Sequence, residues 1–223
     1  MAGGFLSRRT LLARSIDPAY RFLFKPPPDD EAVAIDCETT GLDRRQDDIV
    51  SVAALLIRGD RILTSRPFLA TVKPACRMKP DAVKVHKLRE LDVAAARPMA
   101  EVAPELLRFI GSRPLVGYYL DFDIAMLDKH VRPLVGAKLP NRRIETSKLY
   151  YERKYGDAPP GVQVDLSFSA MLSDLKLPAL DQHEAYDDAL MTAMAYLSLR
   201  DLKARGVRIP RRRLAGSHAF SAG

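Results

Sequence analysis

The run Val33-Ala34-Ile35-Asp36-Cys37-Glu38-Thr39-Thr40-Gly41-Leu42 decides the fold class. Its first three residues are apolar and read as the buried end of a strand. Side chains of a strand alternate between faces, so Asp36 and Glu38 project to one side with Cα atoms about 7 Å apart. Two carboxylates on one face repel each other unless a proton or a cation lies between them. Hard divalent cations take such oxygen ligands. A bare pair of acids two residues apart is common, however, and alone it reads more simply as two solvated side chains in a loop.

Working outward, Ile49 to Ile57, the turn Arg58-Gly59-Asp60, and Arg61 to Val72 predict two strands joined as a hairpin. Helical spacing follows over 81–91 and 101–111, then a short strand at Pro114 to Gly117. Ile124 to Val135 has the apolar period of a helix, with Asp121 or Asp123 near its start. A short strand near Arg143-Ile144 precedes another helix. Asp165 is placed to cap a helix over 166–175, and Tyr186 to Lys203 forms a long final one. Strands come early and helices late, with a hairpin inside the sheet, which predicts an α/β domain with a mixed sheet.

That domain is expected to occupy residues 31–205. Residues 1–30 read as an N-terminal arm, helical in its apolar and basic part up to about residue 24. Pro26-Pro27-Pro28 then forms a linker. Residues 206–223, with Arg208 and Arg211-Arg212-Arg213, read as a basic and flexible tail.

Among the 223 residues, 47% are hydrophobic, enough to bury a core and to exclude global disorder. The net charge of +7 favours a polyanionic partner. Cys37 and Cys76 are the only cysteines and form neither a disulfide framework nor a metal-ligand spacing. Met1 to Arg14 lacks the apolar core of a secretory signal, and no stretch has the length of a membrane span. A soluble cytoplasmic protein without a membrane partner is therefore expected.

Two further segments carry acids. Leu115-Val116-Gly117 leads to Asp121-Phe122-Asp123 at a helix start, and His183-Glu184-Ala185-Tyr186-Asp187-Asp188 opens the last helix. Read singly, an aspartate there caps the helix or favours its dipole. A lone histidine is more often structural, and Phe122 belongs by default to the core.

Together, the three segments resemble the DEDDh branch of the DnaQ-like exonucleases, the family of the proofreading epsilon subunit of DNA polymerase III, RNase T and oligoribonuclease. The first family motif is complete from Asp36 to Leu42. Phe122-Asp123 matches the end of the second, and His183, four residues, then Asp188 matches the third, with the usual small residue at Ala189. The resemblance covers roughly residues 31–203. One departure stands out: Tyr118-Tyr119 follows Gly117 where the family usually has His-Asn. This puts in question the polar contact that the asparagine supplies.

The resemblance implies a ribonuclease H-like fold, a mixed five-stranded sheet flanked by helices. It implies hydrolysis of phosphodiester bonds at nucleic-acid 3′ ends, releasing nucleoside 5′-monophosphates. Two divalent cations, Mg²⁺ or Mn²⁺, would be held by Asp36, Glu38, Asp123 and Asp188, with Asp36 between them. His183 would be the general base, since imidazole titrates near neutral pH. Adjacent helical side chains diverge by about 100°, so Asp187 would face away from the site. Thr39, Thr40, Leu42, His86 and Phe122 are the implied contacts to the terminal nucleotide. The expected partner is a nucleic acid with a free 3′ end, single-stranded DNA slightly before RNA, and a polymerase docked through the basic arms is a further one. The alternative is a non-catalytic nucleic-acid-binding or scaffold module that keeps the fold; retention of all five site residues speaks against it.

Overall fold

The computed structural model describes residues 16–181 and 183–211. The apolar runs become β1 (Glu31–Thr39), β2 (Ile49–Arg58) and β3 (Arg61–Thr71), with the short strands β4 (Leu115–Gly117) and β5 (Arg143–Glu145) beyond. Their order in the sheet is β3-β2-β1-β4-β5. β1 pairs antiparallel with β2 and parallel with β4, so the expected mixed sheet of five strands is present. β1 lies at its centre, which explains the unbroken burial from Ala32 to Ile35.

The helices are α1 (Pro80–His86), α2 (Glu90–Val93), α3 (Met99–Ile110), α4 (Leu120–Val135), α5 (Thr146–Lys154), α6 (Phe168–Asp174) and α7 (Ala185–Ala204). Val33 and Ile35 of β1 face a core shared with Leu106, Leu107, Ile124 and Leu127 of α3 and α4. The other parity of β1 meets α7. There Ala32 and Ala34, with Ala53, Leu55 and Ile57 of β2, pack against Ala185, Ala189 and Ala193. Asp36 and Glu38 continue this second face past the end of the apolar seam, as strand alternation requires. A register shift against β2 falls between Glu38 and Thr39, where the strand leaves the sheet.

Three local expectations are corrected. The single helix over 81–91 is two, because Lys87 adopts a left-handed conformation (φ 62°) that ends α1. A second start then forms where the Arg89 main-chain N–H donates to Asp92 at 2.8 Å. The cap of α6 is Ser167, whose Oγ accepts from the Ala170 N–H. Asp165 instead accepts from the Ser167 N–H at 2.9 Å, so it supports the cap one step removed. α4 begins at Leu120, a full turn before Ile124, which places Asp121 and Asp123 inside the helix.

Of the N-terminal arm, residues 1–15 lie outside the described part. Pro18–Phe24 is a 3-10 helix capped by Asp17, and Ile16 and Leu23 are buried in the core beneath it. At the other end, Ile209 is buried beside Tyr150 and Tyr155, and Arg211 pairs with Asp157 at 2.7 Å. Residues 212–223 lie outside the described part. Among the described residues no helix is long and apolar enough to cross a membrane.

Candidate active site

The C-terminal end of β1, α1, the first turn of α4 and the start of α7 surround a cleft of about 1030 Å³. Asp36 and Glu38 enter it from the strand and Asp188 from α7. Each offers a carboxylate oxygen, and these oxygens lie within 4.8 Å of one another. Asp123 is buried and borders the same cleft, but its Oδ1 accepts from the Cys37 N–H at 3.1 Å. The structure thus brings three of the expected acids into one cluster and sets the fourth beside it. Asp187 is outside the cluster, in keeping with its position one residue round the helix.

His183 lines the cleft, and its main-chain N–H donates to Asp188 Oδ2 at 2.8 Å. It sits at φ 70°, the left-handed conformation that reverses the chain just before α7 begins. Asp188 Oδ1 is buried with no hydrogen-bond partner among the described residues.

Burial and mutual repulsion dominate the electrostatics. Burial raises the Asp36 carboxyl well above its ordinary range, and Asp123, Glu38 and Asp188 push it further. Glu38 is raised to about 7 by burial and then by Asp188. Asp123 is raised to about 8, because burial outweighs the N–H donors of Cys37 and of its own residue. Burial likewise raises Asp188 despite the amide of His183. Clustered acids that resist ionisation, one with an orphaned oxygen, are the donor set that a hard divalent cation satisfies. The residues present fit such an ion.

The five substrate-contact candidates separate. Leu42 stands 83% exposed at the rim of the cleft, and Phe122 lines it with the Arg44 guanidinium 5.8 Å from its ring centroid. Thr39 lines the cleft but spends its hydroxyl on Gly41 O at 2.8 Å. His86 lines it too. Its Nδ1 accepts from the Leu88 N–H, while its buried Nε2 lacks a hydrogen-bond partner among the described residues. Thr40 is placed differently from the other four. It is fully buried, its Oγ1 donating to Asp47 Oδ1 at 3.1 Å and accepting from the Asp48 N–H at 2.9 Å. Its hydroxyl therefore braces the 40–48 loop rather than facing the cleft.

That brace extends to residues that the motifs do not contain. Asp47 also pairs with Lys79 at 2.6 Å. Asp48 accepts from the Ile49 and Ala75 amides and pairs with His130 at 2.7 Å. Burial would raise the Asp48 carboxyl, but His130 and the two amides outweigh it and bring it to about 2.

Glu145 was also not singled out by sequence. It lines the cleft and accepts from the Tyr119 and Leu120 amides at 3.1 and 2.9 Å. Its only signal was an acid just before Thr146-Ser147, an ordinary helix start, and its Oε1 does accept from the Ser147 N–H.

A family model described as "Exonuclease", RNase T, matches residues 33–196. The DNA polymerase III subunit epsilon of Aquifex aeolicus is 27% identical over 167 residues, covering 75% of this chain and 79% of that protein. The PolC-type DNA polymerase III of Thermotoga maritima is 26% identical over 192 residues, covering 83% of this chain. The match spans only 13% of that polymerase. Among solved structures, an E. coli exonuclease I–single-stranded DNA complex has a TM-score of 0.67 at 16% identity. That likeness covers 80% of this chain and 42% of the other. Exonuclease X bound to 5′-overhanging duplex DNA has a TM-score of 0.55 at 24% identity, covering 80% and 95%. These likenesses show a ribonuclease H-like α/β fold with its mixed sheet flanked by helices. With the family model spanning residues 33–196, the chain belongs to the RNase T exonuclease family, the DnaQ-like group that its motifs resemble.

Proposed function

We propose that the chain is a 3′→5′ exonuclease of the DEDDh type that removes nucleoside 5′-monophosphates from a nucleic-acid 3′ end, DNA before RNA. The observation that carries this reading is the convergence of Asp36, Glu38 and Asp188 oxygens within 4.8 Å, in the cleft that His183 also lines. In the proposal, these three acids and Asp123 hold two divalent cations, Mg²⁺ or Mn²⁺. Such ions, when bound, lower the pKa of water and neutralise charge on the attacking and leaving oxygens. His183 accepts the proton of the attacking water as the new phosphorus–oxygen bond forms. The bond from phosphorus to the 3′ oxygen of the preceding nucleotide breaks, and that oxygen leaves with a proton. Leu42, Phe122, Thr39 and His86 contact the terminal nucleotide from the walls of the cleft.

The DNA preference draws support from relatives named as DNA polymerase III proteins and from structural neighbours bound to DNA. The same relatives support a polymerase as protein partner, tested by co-purification with and without residues 1–30 and 206–223. For the activity itself, 5′-fluorescent DNA and RNA oligonucleotides are incubated with Mg²⁺ or Mn²⁺, beside the Asp36→Ala variant. Stepwise shortening from the 3′ end, faster on DNA and absent in the variant, is expected. Oligonucleotides left intact by the wild-type protein would overturn the reading.

A further inference from the structure

Tyr119 occupies a position that its residue type does not favour. It is the residue before α4 and adopts φ 55°, ψ 33°, a left-handed conformation disfavoured for a side chain with a Cβ. Glu145 holds it there, its two carboxylate oxygens accepting from the Tyr119 and Leu120 amides. Glu145 is fixed in turn by the Ser147 hydroxyl at 2.8 Å.

The consequence of this backbone is an aromatic ring on the wall of the cleft. Tyr119 is 63% exposed, yet it is backed on one side by Tyr118, with ring centroids 4.5 Å apart and planes tilted by 58°. Tyr118 is itself immobilised. Its ring lies 4.7 Å from that of Phe168, and its hydroxyl donates to the Leu166 carbonyl at 2.9 Å. A ring braced from behind and open in front loses little conformational freedom when a second flat group covers it. Nucleobases are such groups, and their stacking on aromatic side chains tolerates any sequence because every base has a π-face.

We infer that Tyr119 is a stacking platform for one unpaired base of the strand entering the cleft. The inference rests on the exonuclease reading above. The phosphodiester chemistry is left to the acids and His183.

The test uses 5′-fluorescent single-stranded DNA oligonucleotides, each with one abasic residue at a successive position from the 3′ end. For the wild-type protein, one abasic position raises KM by roughly five- to hundredfold, the range of a single base–aromatic stack. Tyr119→Asn removes the ring while keeping a residue type that tolerates the left-handed conformation. It raises KM on the intact oligonucleotide by the same factor, with a smaller effect on kcat, and adds no further loss at that one abasic position. Tyr119→Phe restores wild-type KM. A wild-type KM for Tyr119→Asn overturns the inference, as does a loss that multiplies with every abasic position alike. A wild-type protein that digests no oligonucleotide overturns the exonuclease reading beneath it, and the intact wild-type lane distinguishes that failure.

Discussion

The main-chain N–H of Cys37 donates to Asp123 Oδ1 at 3.1 Å, so the strand residue between Asp36 and Glu38 also fixes the first turn of α4. One bond sets the spacing between acids that come from two distant segments of the chain. Asp123→Asn keeps the acceptor oxygen and removes the charge. It is expected to retain or raise thermal stability in cation-free buffer while lowering the nuclease rate by about 10²- to 10³-fold. Asp123→Ala instead strands a buried N–H and is expected to cost about 1–3 kcal/mol of stability by urea unfolding. Equal stability losses in the two variants would remove this bond from the account.

The raised carboxyls make cation-free stability depend on pH. Glu38 titrates at about 7 and Asp123 at about 8 in the fold, against roughly 4 in an unfolded chain. Folding raises both, so the folded state binds more protons in this window. Their contribution is full below about pH 4 and is lost as pH rises through 7 to 8. With EDTA present, Tm is expected to fall between pH 5 and pH 9, and Mn²⁺ should raise Tm more at pH 8 than at pH 5. A Tm in EDTA that stays level or climbs across this range would contradict the burial of these acids.

His183 touches Asp188 through its main-chain N–H, and the residue lines the cleft. His183→Asn suits φ 70° and keeps that amide bond. The variant is expected to lose about 10²- to 10⁴-fold in kcat on an oligonucleotide. The Tm increase with Mn²⁺ should persist. Loss of that increase together with activity would assign the imidazole to cation binding instead.

Asp48 is the anchor of the loop that carries Leu42. Its removal takes the acceptor from the buried Ile49 amide and from the His130 imidazole, and a buried donor left unsatisfied costs about 1–3 kcal/mol. Asp48→Ala is expected to lose stability on this scale, measured by urea unfolding at pH 7. The Asp48 carboxyl lies at about 2 in the fold, below its unfolded value, so its stabilisation is present above about pH 4 and disappears as pH falls through 2. A variant as stable as the wild-type protein would show the pair with His130 to be incidental.

Legibility in the sequence followed the range of the interaction. Val33 to Ile35 and the hairpin from Ile49 to Val72 announce themselves, because a buried strand must be apolar and a tight turn needs residues such as Gly59. The acids Asp36, Glu38, Asp123 and Asp188, with His183, were visible as three motifs in order. What the motifs cannot express is geometry that depends on partners elsewhere. Lys87 breaks a helix without being a glycine, and nothing in its neighbours predicts φ 62°. Thr40 belongs to the first motif, yet its hydroxyl is claimed by Asp47 and Asp48, which only the folded loop brings back to it. Glu145 carries no signature of its own because its partners, the amides of Tyr119 and Leu120, lie 25 or more residues away.

The alanine seam between α7 and the sheet acts as a ruler for the cluster of acids. Ala189, immediately after Asp188, is fully buried among Ala32, Ala34 and Ala53, so methyl-sized side chains fix how near the helix lies to the strand. The separation of the Asp188 oxygen from those of Asp36 and Glu38 is therefore set by side-chain volume on a surface that no substrate reaches. Enlarging Ala189 to valine would lift the helix rather than alter any of the acids. A displacement near 1 Å is enough to cost about 10²-fold in rate. In this fold the size of a methyl group sets the spacing of the acid cluster.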